Sequence, residues 1–315
     1  MKLRLSAITL ALGLAYASFS ASAQTATVNQ QTNSSTATIN QNATGSATSA
    51  AITQEGAGGH TASVTQDGAQ SSSVSVYQAQ EGNDATVTQG AGARMSAGVS
   101  QTGTNGTATV EQVGTDQSAS ISQAGDSNNA RIRQQAYQNS ASINQASGNG
   151  SVADIWQTGN NNIAGITQSG VGGHEGTIWQ SGDINRASLN QEGENQTAFI
   201  NQTGSSNRAN ASQTGANNQL TATQSGTSNQ MDVAQSGDGG VLTLSQAGTG
   251  GYINAVQAGV GNNGTVNQYG VNQVAYLSQN GTANTTTINQ GGGAAAAQAS
   301  VTQNGTGNTA TVNQN

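Results

Sequence analysis

The chain of 315 residues contains no cysteine and no proline. Without cysteine there is no disulfide to staple a small core and no thiolate for nucleophilic or metal chemistry. Without proline, no strand loses a ladder donor. Charge is scarce: 7% of residues are Asp, Glu, Lys or Arg, against about a quarter in an ordinary globular domain. Aromatic residues make up 3% and hydrophobic residues 33%, much of the latter alanine. One conventional compact core is hard to build from this material. Seven cations stand against 14 acids, for a net charge of -7. That balance argues against nucleic-acid binding through phosphates. What remains is disorder, an aggregation-prone polar tract or a repeat fold.

The first 23 residues read as a signal peptide. Lys2 and Arg4 form a basic start, residues 5–17 an apolar run too short to span a membrane, and Ala21-Ser22-Ala23 a small-residue cleavage site. The mature chain is expected to begin at Gln24 and to be secreted. No later segment is apolar enough for an integral membrane span.

What is present is repetition. A glutamine recurs from Gln30 to Gln314 in 26 positions, with 18 intervals of 11 residues, five of 12 and two of 13. From Gln180 to Gln290 the spacing never leaves 11. Two residues before the glutamine stands Ile or Val in 20 units, four before it Ala in 18, and two after it Gly in 19. Six before it, Asn is commonest. The internal period is two, which predicts a strand whose Asn, Ala, Ile and Gln share one face. The glycine supplies a turn.

One unit cannot be stable alone. Two units predict a 22-residue coil of two facing strands, and the whole predicts an all-β solenoid of about 13 coils stacked at about 4.8 Å. Ile121, Ile132, Ile143, Ile155, Ile166 and Ile178 are expected in the thin core. The inward amides must be paired. Gln123, Gln134, Gln145, Gln202, Gln213, Gln224 and Gln235, with Asn128, Asn139, Asn207, Asn218 and Asn229, are therefore expected to form ladders along the axis. Leu220 beside Ala222 and Ile253 beside Ala255 exchange large and small residues at conserved volume. Ala209 and Ala211 lack that exchange, which predicts a weak coil.

The run Gln123-x4-Asn128-x5-Gln134-x4-Asn139-x5-Gln145 and its counterpart from Gln202 to Gln235 resemble the curlin repeat of curli, the functional amyloid of bacterial surfaces. The resemblance covers essentially all of 24–315. It implies a subunit exported through an outer-membrane pore that polymerises with itself and with other curli-type subunits into fibres for biofilm and surface adhesion. Major subunit, nucleator and accessory subunit stay open. The chain has more repeats than familiar curli subunits, and a repeat-like unit begins at Gln24, where those subunits carry a pore-addressing segment.

No enzyme chemistry, cofactor or metal site is expected. His60 and His174 stand at the Asn position and read as substituted ladder residues, without ligands at metal spacing. On the outward face, Glu111, Arg133, Trp156 and Trp179 precede glutamines two units apart and predict one surface column, with Glu111 pairing Arg133 and Arg133 lying on Trp156. Arg186 and Arg208 should be neighbours, screened by Glu192 and Glu194. A monomeric secreted binding solenoid, such as an ice-binding protein, is the competing reading. It needs a regular threonine array, and the T-x-T pairs do not recur at every coil in the sequence. A polysaccharide-cleaving solenoid would need larger coils and clustered acids.

Overall fold

The computed structural model describes residues 11–12, 24–42, 47–146, 148–292 and 296–314. The expected signal peptide lies outside them, apart from the two-residue strand Ala11–Leu12 beside Thr38 and Ile39. The described residues contain strands and no helix. They fall into two compact units, Met1–Gly150 and Ser151–Asn315. Each is a parallel β-solenoid, and together they comprise about thirteen turns of some 22 residues.

In the first unit one sheet holds Thr36–Asn42, Thr61–Asp67, Asp84–Ala93, Thr107–Thr115 and Asn129–Tyr137. The other holds Thr25–Gln30, Ser49–Gln54, Ser73–Gln78, Ser96–Gln101, Ser118–Gln123 and Ser140–Gln145. Every strand pairs with the one two units away, never with its sequence neighbour, so the chain alternates between two parallel sheets. Glutamine meets glutamine throughout: Gln112 lies opposite Gln134, and Gln123 opposite Gln145.

The second unit repeats the plan with longer strands. Glu175–Asp183, Thr197–Ser205 and Gln219–Thr227 are successive strands of one sheet, and Arg186–Glu194, Arg208–Ala216 and Gln230–Asp238 of the other. Each has nine residues, because pairing continues past the glutamine into the turn. Glycine makes this continuation possible. Gly204 has φ +99°, and a Cβ there would sit 2.2 Å from the carbonyl oxygen of Gly226 one coil on. Only a residue without a side chain lets that carbonyl approach.

Alternate residues are buried. All six core isoleucines are at most 1% exposed, Ile121, Ile132 and Ile143 in the first unit and Ile155, Ile166 and Ile178 in the second. Leu220, Ala222, Ile253 and Ala255 are buried too, so the size exchange takes place inside. Gly264 extends the same logic: a Cβ there would meet Leu242 at 2.7 Å and Leu277 at 2.6 Å, so the leucines occupy its space. The expected weak coil at Ala209 and Ala211 is intact in its pairing. Arg208–Ala216 keeps nine residues in unbroken register with both neighbours.

The long intervals are turn insertions. Gln41 and Gln66, 25 residues apart, remain paired in register, as do Gln290 and Gln314 at 24. Parts of the two 13-residue intervals, 43–46 and 293–295, lie outside the described residues.

Candidate functional site: amide ladders and outer columns

Glutamine and asparagine do different work in the interior. Each glutamine Nε2 donates one proton to the Oε1 of the glutamine one coil on. In the first unit this holds for Gln112 to Gln134 at 2.9 Å and Gln123 to Gln145 at 2.8 Å. In the second it runs Gln202 to Gln224 (2.7 Å) and Gln213 to Gln235 (2.9 Å), and continues from Gln224 and Gln235 to the next coil. The second proton crosses to the facing sheet. Gln213 donates to the Thr197 carbonyl at 3.1 Å and Gln224 to that of Arg208 at 3.0 Å. One side chain thus links coil to coil and sheet to sheet, and no amide proton is left over. These glutamines are wholly buried, where an unpaired amide would cost about 1–3 kcal/mol.

The asparagines chiefly clamp turns. Asn207 donates to the carbonyls of Thr203 and Gly226, both at 3.0 Å, while its Oδ1 accepts the Asn229 N–H at 3.1 Å. Asn218 and Asn229 repeat the scheme with Thr214 and Gly237, and with Ser225 and Gly248. Asn128 binds the Ala124 carbonyl and Asn139 that of Gln135. Direct amide-to-amide bonds occur as well, as from Asn207 to Asn185 at 3.2 Å. Asparagine is one methylene shorter, so its amide stays beside its own turn.

His60 and His174 imitate asparagine in this place. The His174 Nε2 lies 3.0 Å from the Ser169 carbonyl, and its Nδ1 accepts the Gln196 backbone N–H at 3.3 Å. His60 does the same with the Glu55 carbonyl and the Asn83 N–H. A backbone N–H can only donate, so the ring must be neutral with its proton on Nε2. Burial holds the His174 imidazole below its ordinary value, against backbone hydrogen bonds from Ser169 and Gly193 that raise it.

The strand and ladder pattern identifies the repeat. Residues 182–215, which contain Gln191, Gln202 and Gln213, match the family described as the curlin associated repeat. This is a curlin-repeat chain. No curated protein matches it. The curlin repeat is a structural repeat, and among the described residues no group of three or more His, Asp or Glu is placed to hold a metal.

In this curlin-repeat chain the outward face varies where the interior does not. The expected surface column is described in two parts. In the first unit, Glu111 and Arg133 are in register and 2.9 Å apart. In the second, Trp156 and Trp179 are in register with ring centroids 5.7 Å apart and planes at 75°. Phe199 extends the aromatic group, 5.5 Å from Trp179. The sequence reading missed it because Phe199 stands three residues before its glutamine, opposite Thr177, and reaches Trp179 diagonally. It also missed Arg94 and Asp116, whose fork-to-fork pair at 2.5 and 2.7 Å joins stacked turns and holds the Asp116 carboxyl below the usual range.

Two expectations need correction. Arg186 and Arg208 are in register as predicted, but Glu192 and Glu194 do not screen them. Glu192 is six residues along the same strand, about 20 Å away at about 3.3 Å per residue. The threonine array is also more regular than the T-x-T pairs suggested. Thr221, Thr243, Thr265, Thr287 and Thr311 face outward in one in-register column over five coils. Beside it, Asn267, Asn289 and Asn313 form an outer amide ladder with bonds of 2.9 Å.

Proposed function

We propose that this chain is a structural subunit of an extracellular curli-type fibre that grows by end-to-end strand templating. One observation carries the reading. Each buried glutamine makes the same bond to its copy one coil on, so a coil is a template for the next, whether it comes from the same chain or another. All strands are parallel and all glutamine Nε2 groups donate in one direction, so joined chains would share one polarity. Secretion through an outer-membrane pore, co-assembly with other curli-type subunits as main subunit, nucleator or accessory, and adhesion to host or abiotic surfaces belong to the same proposal.

The test is fibre diffraction on residues 24–315, released from denaturant and left to assemble. The reading requires a meridional reflection near 4.7–4.8 Å and a sheet spacing of about 10 Å. Soluble protein without that order, even after addition of curli seeds, would sink it.

The five-coil threonine column favours a second reading, a monomeric binding solenoid of the ice-binding kind. Its sheet from Gln219–Thr227 to Thr309–Gln314 carries no charged residue. Thermal hysteresis from soluble monomer that is lost in Thr265→Asp would establish this reading in place of the first.

A further inference from the structure

Arg186 and Arg208 are the only two cations in residues 151–315, against seven acids. They are exposed and stand in register on adjacent strands, about 4.8 Å apart. Like charges so placed are destabilising. Elsewhere the chain avoids this: Arg94 and Arg133 each meet a carboxylate one coil away. Among the described residues, neither the Arg186 nor the Arg208 guanidinium has a hydrogen bond or ion pair. The acids nearest to them are held by neutral donors. Asp232 accepts from Asn210 at 2.7 Å and from Gln230 at 2.8 Å, and Asp183 accepts twice from Asn160 at 3.0 Å.

A groove of about 230 Å³ lies on the same face. It begins one side-chain column in from the arginines, about 7 Å along the strand. Ser188, Asn210, Asp232 and Asn254 give it a polar wall, and Ala234 and Val256 an apolar side. The small Ser212 and Ala234 leave it open. Carboxylate and amide oxygens beside a short apolar side are the chemistry that takes sugar hydroxyls and a sugar ring.

The geometry points to a binding site for a short anionic saccharide, with a phosphate or sulfate ester held by the Arg186–Arg208 pair and the sugar ring in the groove. Guanidinium forks match the oxygens of a tetrahedral oxyanion. The excess of acids around the pair repels a long polyanion, so the ligand carries one charged group. The site is independent of fibre growth, and an assembled fibre would present it once per chain.

Equilibrium dialysis tests this on mature protein, assembled or not, at constant ionic strength. The probes are glucose 6-phosphate, inorganic phosphate, glucose and heparin. Glucose 6-phosphate should bind at least about tenfold more tightly than phosphate or glucose, the step expected from adding or removing one charged hydrogen-bonding group. Arg208→Gln and Arg186→Gln should each weaken glucose 6-phosphate and phosphate by a similar factor. Ala234→Phe, which fills the groove, should bring glucose 6-phosphate down to the affinity of phosphate and leave phosphate unchanged. Unchanged circular dichroism in the variants would show that the fold survives. Equal affinity for phosphate and glucose 6-phosphate, tightest binding of heparin, indifference to both arginine variants, or no binding at all would each overturn the proposal.

Discussion

The two units carry one repeat with different regularity. In Ser151–Asn315, the glutamine spacing is 11 from Gln180 to Gln290 and glycine follows without interruption, from Gly182 to Gly281. The carbonyl of each glycine sits where the Cβ of the previous one would be, and strands run on to nine residues. In Met1–Gly150 the glycine is replaced by Gln80, Ala91 and Ala136, the spacing wavers, and one whole sheet is built of six-residue strands. The glutamine bonds do not notice: Gln78 to Gln101 and Gln235 to Gln257 measure 2.9 and 3.0 Å. Strand register keeps the ladder, and the turns absorb the irregularity.

The largest expected effect tests that equivalence. Gln202→Leu removes the partner of Gln180 Nε2 and of Gln224 Oε1, two buried groups, and should cost roughly 2–6 kcal/mol. Gln112→Leu does the same between Gln89 and Gln134 and should cost as much, despite the looser spacing around it. Fluorescence of Trp156 and Trp179, the chain's two tryptophans, follows denaturation of the second unit. Hydrogen exchange follows the first. A clearly smaller loss for Gln112→Leu would break the comparison.

Next in size are the turns. Gly226→Ala would place a Cβ 2.1 Å from the Gly248 carbonyl at φ +100°, and should cost roughly 1–3 kcal/mol. The opposite change should help the first unit. Ala136 occupies the glycine position at φ +80°, so Ala136→Gly should gain about 1 kcal/mol by hydrogen exchange.

A pH effect comes third. The His174 ring binds a proton less readily folded than unfolded, so folding is favoured above the unfolded value of about 6.5. This stability falls as pH drops from there through the lower folded value. His174→Asn should remove that part of the acid sensitivity in tryptophan-detected melts. An unchanged pH profile would refute the assignment of the neutral, Nε2-protonated ring.

The smallest effect concerns charge. Arg208→Glu would give the second unit the opposite-charge pair that Glu111 and Arg133 give the first, and should raise its stability by about 0.5 kcal/mol at low salt. A loss of stability would mean that the in-register arginines do not repel.

Much of this molecule was legible because a parallel stack makes every coil the environment of its neighbours. The period of two fixed the buried face, the spacing fixed the strand, and a buried amide at a constant place fixed the glutamine ladder, since it had to be paired by its own copy. The asparagine clamps were less legible. Asn and Gln carry the same amide, and only the distance to the turn carbonyls, set by one methylene, sends Asn207 to Thr203 and Gly226.

The outward face was hidden for a different reason. Thr221 and Thr311 are 90 residues apart in sequence yet share one column, because two-residue turn insertions are absorbed before the strands pair. Phe199 meets Trp179 on a diagonal that no fixed spacing marks. The groove beside Arg186 and Arg208 depends on four neighbouring strands lying side by side. Sequence alone determined what the inside must be, because buried polar groups allow few solutions. Tertiary structure decided what the surface holds together, because solvent satisfies exposed groups in any arrangement and leaves their neighbours to the stacking.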